Sequence, residues 1–473
     1  MATETRFSYV VKDFSTLRNE LISRIPTYTP NWTDWSESDI GITLLELFCF
    51  MGDQLMFYLD NNTNENFLST ARIKRDVINI CKQIAYQLDS RVSSTCNVRF
   101  SINTAISNNI VIPKFTRLSG AGVYFVTSAA TSLPAGYTYV DVPVVQGIKS
   151  SQSFTSDGTA DQYFVIGSSN VATGCIYASV DSTDWTKVDN FLDSDGTSKH
   201  FIIKFRSDET YQVEFGDGTY GLIPPNGASI VLSYIISDGA SGNVGTGVID
   251  ELLDQLYDSM SNPIDVTVDN TEAATGGAEA ETIDHAKTQA PLELASLWRM
   301  VTLADYQALI SGYPGVLKAM CYDINDYSPI TDNSLPPFRT VIAYIVPNGG
   351  GAMSSVFKTA LEAYVANRMT VGNLFEARDI FYRTIDIACD VYVLTGYDPS
   401  VVISNIITAI QNYISIDNLD IGESIRYSVL AALIQDVAGV AYIENLVPSV
   451  DTILEFNQIA EAGTLTINYI RTV

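Results

Sequence analysis

WTDWSESDIGITLLELFCFMGDQLMFYLDNNTNENFLSTARIKRDVINICKQIAYQL, residues 32–88, is the stretch that decides how this chain is read. Leu44, Phe48, Met51, Leu55 and then Tyr58 or Leu59 recur at steps of three and four, which places them on one face of an α-helix. Leu45, Leu47 and Met56 widen that face. Asp39 or Thr43 can cap its start, and Thr43 with Glu46 fits a capping box. Asn61-Asn62-Thr63-Asn64 is expected to stop the helix, because Asn competes for backbone hydrogen bonds and tolerates left-handed conformations. A second helix is expected from about Glu65 to Leu88, with Phe67, Ala71, Val77, Ile80, Ile84 and Leu88 as its apolar positions and Arg72, Lys74 and Arg75 between them. Pattern alone admits two readings: a helical hairpin buried in its own domain, or one completed by helices of other chains. A face this wide leaves apolar area beyond one partner helix, though the rest of the chain could cover it. On the second reading the interface is Leu44, Phe48, Met51, Leu55, Tyr58 and Leu59, with Trp32 and Trp35 near its entry.

Beyond Ser90 the periodicity falls to two. Asn97-Val98-Arg99-Phe100-Ser101-Ile102 alternates, as does Gln212-Val213-Glu214-Phe215, and Asp-Gly pairs at 157–158, 195–196, 217–218 and 238–239 have the chemistry of tight hairpin turns. The middle is therefore expected to be β-rich, with exposed loops in the Ser-, Thr-, Asp- and Gly-rich stretch 146–174. Residues 261–282 read as an extended connector with a glycine hinge. Helix and strand then alternate: helices at 303–311, 354–368, 401–414 and 428–437, strands at 316–322, 339–346, 380–394 and 440–446. Such short helices are expected to cover one face of a small mixed sheet. ADYQALISGYPGVLKAM echoes SVLAALIQDVAGVAYIEN, with Gly315-Val316 matching Gly439-Val440, which points to two pseudo-equivalent α/β units. The expected class is α+β multidomain: a helical hairpin in 1–90, a β-rich domain in 91–268, a connector in 269–300 and an α/β domain with a small mixed sheet in 301–473.

Composition narrows the function. At 473 residues, 46% apolar and 17% charged, the chain has ample core for two to four domains. Lys and Arg number 27 against 54 Asp and Glu, a net charge of −27 without a basic block, so neither nucleic acid nor an anionic membrane is an expected partner. No run of eighteen uninterrupted apolar residues exists, and MATETRFSYVVKDFSTL has no basic region followed by an apolar run. Neither a transmembrane helix nor a secretory signal is expected. The six cysteines, at 49, 81, 96, 175, 321 and 389, form no CxxC pair and read as reduced thiols.

Candidate chemistry is sparse. GASGNVGTG, residues 239–247, lacks the Lys-Ser/Thr of a phosphate loop and reads as a turn. Asp193-Ser194-Asp195-Gly196 partly matches a calcium loop, but Phe191 stands at the first ligand position. A histidine-based triad would have to use His200 or His285, and there is no HExxH motif. Among 54 acidic residues no carboxylate pair stands out for glycosidase-type catalysis. No catalytic residue, cofactor or metal site is assigned.

The run from Asp34 to Leu88 resembles the amino-terminal signature of baseplate J-like proteins, the wedge subunits of contractile phage tails and related injection systems. Two further segments match in order: FGDGTYGLIPPNGASIVLSYIISDGASGNVGTG at Phe215–Gly247 and ATGGAEAETIDHAKTQAPLELASLWRMVTLADYQALISGYPGV at Ala274–Val316. The three together span most of the chain. Ile40 stands where the family often has Pro, which removes an aid to helix initiation. The resemblance implies a non-enzymatic virion protein of the tail baseplate, made in the host cytoplasm. It implies two copies per wedge, joined to a second, different wedge protein through a shared helical bundle. Carboxy-terminal domains would then link wedges into a homo-oligomeric ring around the hub, in contact with sheath-initiator and hub-proximal proteins, controlling sheath contraction. The competing class is a tail-associated carbohydrate-binding or carbohydrate-cleaving protein, which would rest on the β-rich middle and the 26 tyrosines.

Overall fold

The computed structural model describes residues 8, 10, 12–33, 35–36, 39–105, 107–323 and 339–472. The architecture is α+β multidomain: an amino-terminal helical region, a β-rich middle, and a carboxy-terminal region of helices on small mixed sheets. Packing separates two units. One holds Met1–Leu88, Phe205–Thr210 and Thr282–Pro291; the other holds Asp89–Lys204, Tyr211–Glu281 and Leu292–Val473.

The first unit is built from α1 (Phe14–Tyr28), α2 (Ile40–Asn64) and α3 (Lys74–Gln83). The Asp13 carboxylate caps α1, accepting from Thr16 N at 2.8 Å and Thr16 Oγ1 at 2.6 Å. α2 ends at Asn64, within the Asn run that the sequence reading gives as its stop. Thr63 Oγ1 donates to Leu59 O at 2.7 Å and Asn64 Nδ2 to Asp60 O at 2.8 Å, so these polar side chains are satisfied inside the last turns. One expectation is corrected: the second helix is shorter than expected. Residues 65–73 form a turn instead, held by Glu65, whose Oε2 accepts from Arg72 N at 2.8 Å and Ile73 N at 3.0 Å. The helix packed along α2 is α1, which the pattern reading did not single out.

The β-rich middle centres on a six-stranded antiparallel sheet. Its order is Glu251–Leu252, Arg117–Gly120, Val123–Thr127, Tyr139–Gln146, Thr95–Ser101 and Thr267–Asn270. The alternation seen in the sequence sends Cys96, Val98 and Phe100 inward against Leu118, Phe125, Val142 and Val144. Two four-stranded sheets and two two-stranded ones, Ile110–Ile112 with Thr131–Leu133 and Leu256–Tyr257 with Pro263–Ile264, accompany the six-stranded sheet. The Asp-Gly pairs do not close the tight hairpins. Gly158 and Gly218 have positive φ, but the strands on either side belong to different sheets, and Gly239 opens a 3-10 turn. The two-residue hairpin turns are Ala121-Gly122 (φ 50° and 82°) and Asp181-Ser182 (φ 47° and 61°), which have the positive φ at both positions that such turns need. Residues 261–282 are likewise not a hinge: Thr267–Asn270 is a strand paired with Thr95–Ser101. A Cβ on Gly276 would sit 2.9 Å from the Phe357 ring, and one on Gly277 2.6 Å from Gly239 O, so both glycines serve close packing.

The carboxy-terminal region contains two α/β modules of matching layout. In the first, the central strand Thr340–Pro347 pairs antiparallel with Val316–Tyr322 and parallel with Leu374–Asp379, and α5 (Leu303–Ser311) and α6 (Ser355–Ala366) supply its core. In the second, the central strand Phe381–Val393 pairs antiparallel with Val440–Val447 and parallel with Gln458–Thr472, packed by α7 (Pro399–Tyr413) and α8 (Tyr427–Gln435). The sequence echo falls where it was read. α5 passes through Gly315 (φ 93°) into Val316–Tyr322, and α8 through Gly439 (φ 97°) into Val440–Val447. The remaining helix, α4, runs from Ile283 to Ser296.

Candidate assembly interface

Helix α2 has two seams of opposite character. Asp39, Glu46, Asp53 and Asp60 recur every seven residues, interleaved with Ile42, Cys49 and Met56. This is the seam that α1 covers. Ile42 is 0% and Cys49 1% exposed. Arg18 Nε lies 2.7 Å from Glu46 Oε1, a Cβ on Gly52 would meet Leu17 at 3.2 Å, and Asp60 accepts from Val10 N at 2.9 Å and Ser8 Oγ at 3.1 Å. Burial raises the pKa of the Cys49 thiol, offset in part by the Arg18 cation.

The second seam is Leu44, Phe48, Met51, Leu55, Tyr58 and Asn62, again at alternating steps of four and three, flanked by Leu47 and Leu59. It carries no charge. Leu44, Phe48, Met51, Leu55, Tyr58 and Leu59 are each between 52% and 67% exposed. All six helix residues nominated from the sequence therefore share one open face. The ordinary amphipathic arrangement is inverted: the acidic seam packs inside the chain and the apolar one faces out. Trp32 and Trp35 lie at the entry. Trp32 is half-buried with its ring against Gly41, where a Cβ would come within 2.4 Å of it; Trp35 is exposed and donates from Nε1 to Trp32 O at 3.3 Å. Sequence reasoning missed Phe50 and Phe57, also exposed, which extend the face around the helix. It also missed the seven-residue acid spacing, the one signal that separates the inner seam from the outer. With 25 residues, α2 is long and apolar enough to cross a bilayer by length and composition.

The other candidates resolve as structure. Ser194 Oγ lies 2.8 Å from His200 Nδ1, while the neighbouring Asp195 carboxylate is taken by Thr197 and Ser198. His285 sits on α4, remote in sequence from that pair. Among the described residues no group of three His, Cys, Asp or Glu is placed to hold a metal ion. The cysteines are free, and burial pushes Cys96 and Cys321 up to about 12 and Cys175 and Cys389 up to about 11, which keeps them protonated.

Residues 13–83, from the cap of α1 to the end of α3, match the family model described as the bacteriophage baseplate protein N-terminal domain. The baseplate wedge protein gp6 of Enterobacteria phage T4 is 22% identical over 337 residues, covering 64% of this chain and 48% of the relative. The chain thus spans about half the length of the curated relative it matches. A chain of the anti-feeding prophage baseplate aligns over 94% of this chain and 90% of its own length, with 13% identity and a TM-score of 0.34. A chain of the type VI secretion TssK-TssF-TssG baseplate subcomplex aligns over 72% and 96%, with 10% identity and a TM-score of 0.30. Neither TM-score reaches the range of a shared fold. The two sequence matches support a baseplate protein family.

Proposed function

We propose that this chain is a non-enzymatic structural subunit of a contractile-tail baseplate, of the J-like wedge kind, and that the open face of α2 is where other chains complete it. The observation that carries this is the inverted amphipathy of α2. A helix in water does not leave a run of Leu, Phe, Met and Tyr uncovered while packing its half-buried acidic seam against its own chain, unless the apolar seam has a partner. The a/d-like spacing of that seam suits a neighbouring helix. The partners read from the family resemblance are a second copy and a different wedge protein, with residues 301–473 joining neighbouring wedges and sheath-initiator and hub-proximal proteins beyond them. The chain would then reside in the tail baseplate of the virion and catalyse nothing.

Co-expression of the full chain with the other tail proteins of its source tests this. The wild type should co-purify in a defined complex, and Phe48→Asp with Leu55→Asp should abolish that complex while leaving the β-rich and carboxy-terminal regions folded. The bilayer-compatible composition of α2 favours a second reading, insertion into membrane. It requires Glu46 and Asp53 to enter hydrocarbon at mid-helix, which is costly even with Arg18 beside one of them. Flotation of the chain with neutral vesicles, unaffected by co-expressed tail proteins, would favour that reading over ours.

A further inference from the structure

Strand Gln458–Thr472 is fifteen residues long and forms one edge of the last sheet, hydrogen-bonded only to Phe381–Val393 among the described strands. Sheet edges of this length are normally blunted by charge, proline or irregular backbone, because an open row of N–H and C=O groups recruits further strands. The opposite edge of the same sheet, Val440–Val447, follows that rule: it carries Glu444, a left-handed Asn445 (φ 51°) and a proline directly after its end. The equivalent edge of the sister module, Leu374–Asp379, has Glu376, Arg378 and Asp379 within six residues. From Ala462 to Ile470, AGTLTINYI, strand Gln458–Thr472 has neither charge nor proline, and its backbone departs from regular pairing only at two register shifts.

Its two charged residues are placed symmetrically. Glu461 and Arg471 stand five residues either side of Thr466. Against the central strand, Glu461, Thr466 and Arg471 pair with Thr384, Ala388 and Tyr392, equal steps of four, because each half of the edge strand carries one extra residue. All three project on the sheet face opposite the buried Ile385, Ile387, Cys389 and Val391, and all three are exposed. The strand is therefore self-complementary in charge about Thr466, with one register shift on either side of that residue.

We propose that strand Gln458–Thr472 pairs antiparallel with the same strand of a second copy about a two-fold axis at Thr466. The two three-stranded sheets become one of six strands. Glu461 of each copy then faces Arg471 of the other, Leu465 faces Ile467, and Thr464 faces Asn468. This deepens, and rests on, the reading that neighbouring subunits meet through the carboxy-terminal region; it names the strand and the register.

Cysteine scanning of the full chain tests it. Directly opposed residues of an antiparallel pair have Cα atoms about 4.5–5.5 Å apart, within disulfide range. The native thiols offer little background, since all but Cys175 are buried. On mild oxidation Thr466→Cys should give a covalent dimer by itself. Thr464→Cys and Asn468→Cys should each form no covalent dimer alone and cross-link when mixed. Arg471→Glu should weaken self-association about tenfold, and mixing it with Glu461→Arg should restore it. If the wild type self-associates by light scattering while Thr466→Cys fails to cross-link, or Thr464→Cys cross-links alone, this register is overturned and the broader reading stands. A wild type that stays monomeric into the high micromolar range overturns both.

Discussion

Replacing Phe48 and Leu55 probes the open seam of α2 without touching what holds the chain together. In the isolated chain these side chains are 66% and 67% exposed, so their loss should change folding stability by no more than about 0.5 kcal/mol each. In an assembly that covers them, Phe48 loses about 130 Å² of remaining exposed area, worth about 3 kcal/mol, and Leu55 contributes about 2 kcal/mol. The sum of about 5 kcal/mol corresponds to a weakening of about 10³–10⁴-fold when both become Ala. Asp at the same positions adds the desolvation of two carboxylates, several kcal/mol more, and should abolish binding at any working concentration. The assay pairs affinity co-purification of the co-expressed complex with thermal melting of the isolated variant. Ile42→Asp is the contrasting control: that side chain is 0% exposed under α1, so it should lower the melting transition of the helical unit itself. The reasoning fails if Phe48→Asp with Leu55→Asp co-purifies at wild-type stoichiometry, or if the isolated variant melts as early as Ile42→Asp.

Three further outcomes follow from single groups. Asp89 is held well above the usual carboxylate range by burial and then by the neighbouring Glu281 and Glu293, so its contribution to stability is present at low pH and lost as pH rises through that raised pKa. Asp89→Asn should therefore stabilise the chain near neutrality, on the order of 1 kcal/mol, with the gain in thermal midpoint shrinking toward pH 4. Asp13 runs the other way: hydrogen bonds from Thr16 and Ser15 lower it to about 2, so the capping of α1 is intact above about pH 4 and lost as pH falls toward 2. Helix content followed by circular dichroism should show an acid transition in that window that is diminished in Asp13→Asn. Replacing both His200 and His285 with Gln should leave particle assembly and infectivity nearly unchanged; a large loss of infectivity with intact particles would point to histidine chemistry.

Local patterns in the sequence were readable where a short element buries a regular stripe. Helix α5 and strand Val316–Tyr322 lie where spacing places them, because Tyr306, Leu309, Ile310 and alternate strand residues all face one core. Three elements were not readable, each for a different reason. α1 buries only Ile25 outright and is fixed by tertiary contact with α2. The second helix starts late, at Lys74, because Glu65 Oε2 accepts from Arg72 N and Ile73 N and holds 65–73 as a turn, a closure that apolar spacing does not record. Strand Gln458–Thr472 gains its place by pairing with Phe381–Val393, nearly eighty residues earlier, which no local window contains.

The open face of α2 was legible for a reason that bears on function. Apolar spacing identifies a face but cannot say whether the same chain covers it. What decides is which of the two seams α1 packs along. α1 carries Arg18 and presents Leu17 to Gly52, so it matches the seam containing Glu46 and Gly52 and not the broad one containing Phe48 and Leu55. Burying the apolar seam under α1 instead would gain hydrophobic area and leave Arg18 without Glu46. On the reading proposed above, a second chain supplies the cover that the apolar seam lacks. The Arg18–Glu46 pair at 2.7 Å and the bond from Val10 N to Asp60 hold α1 and the segment before it on the acidic side of α2, and the assembly proposal assigns the other side to a partner.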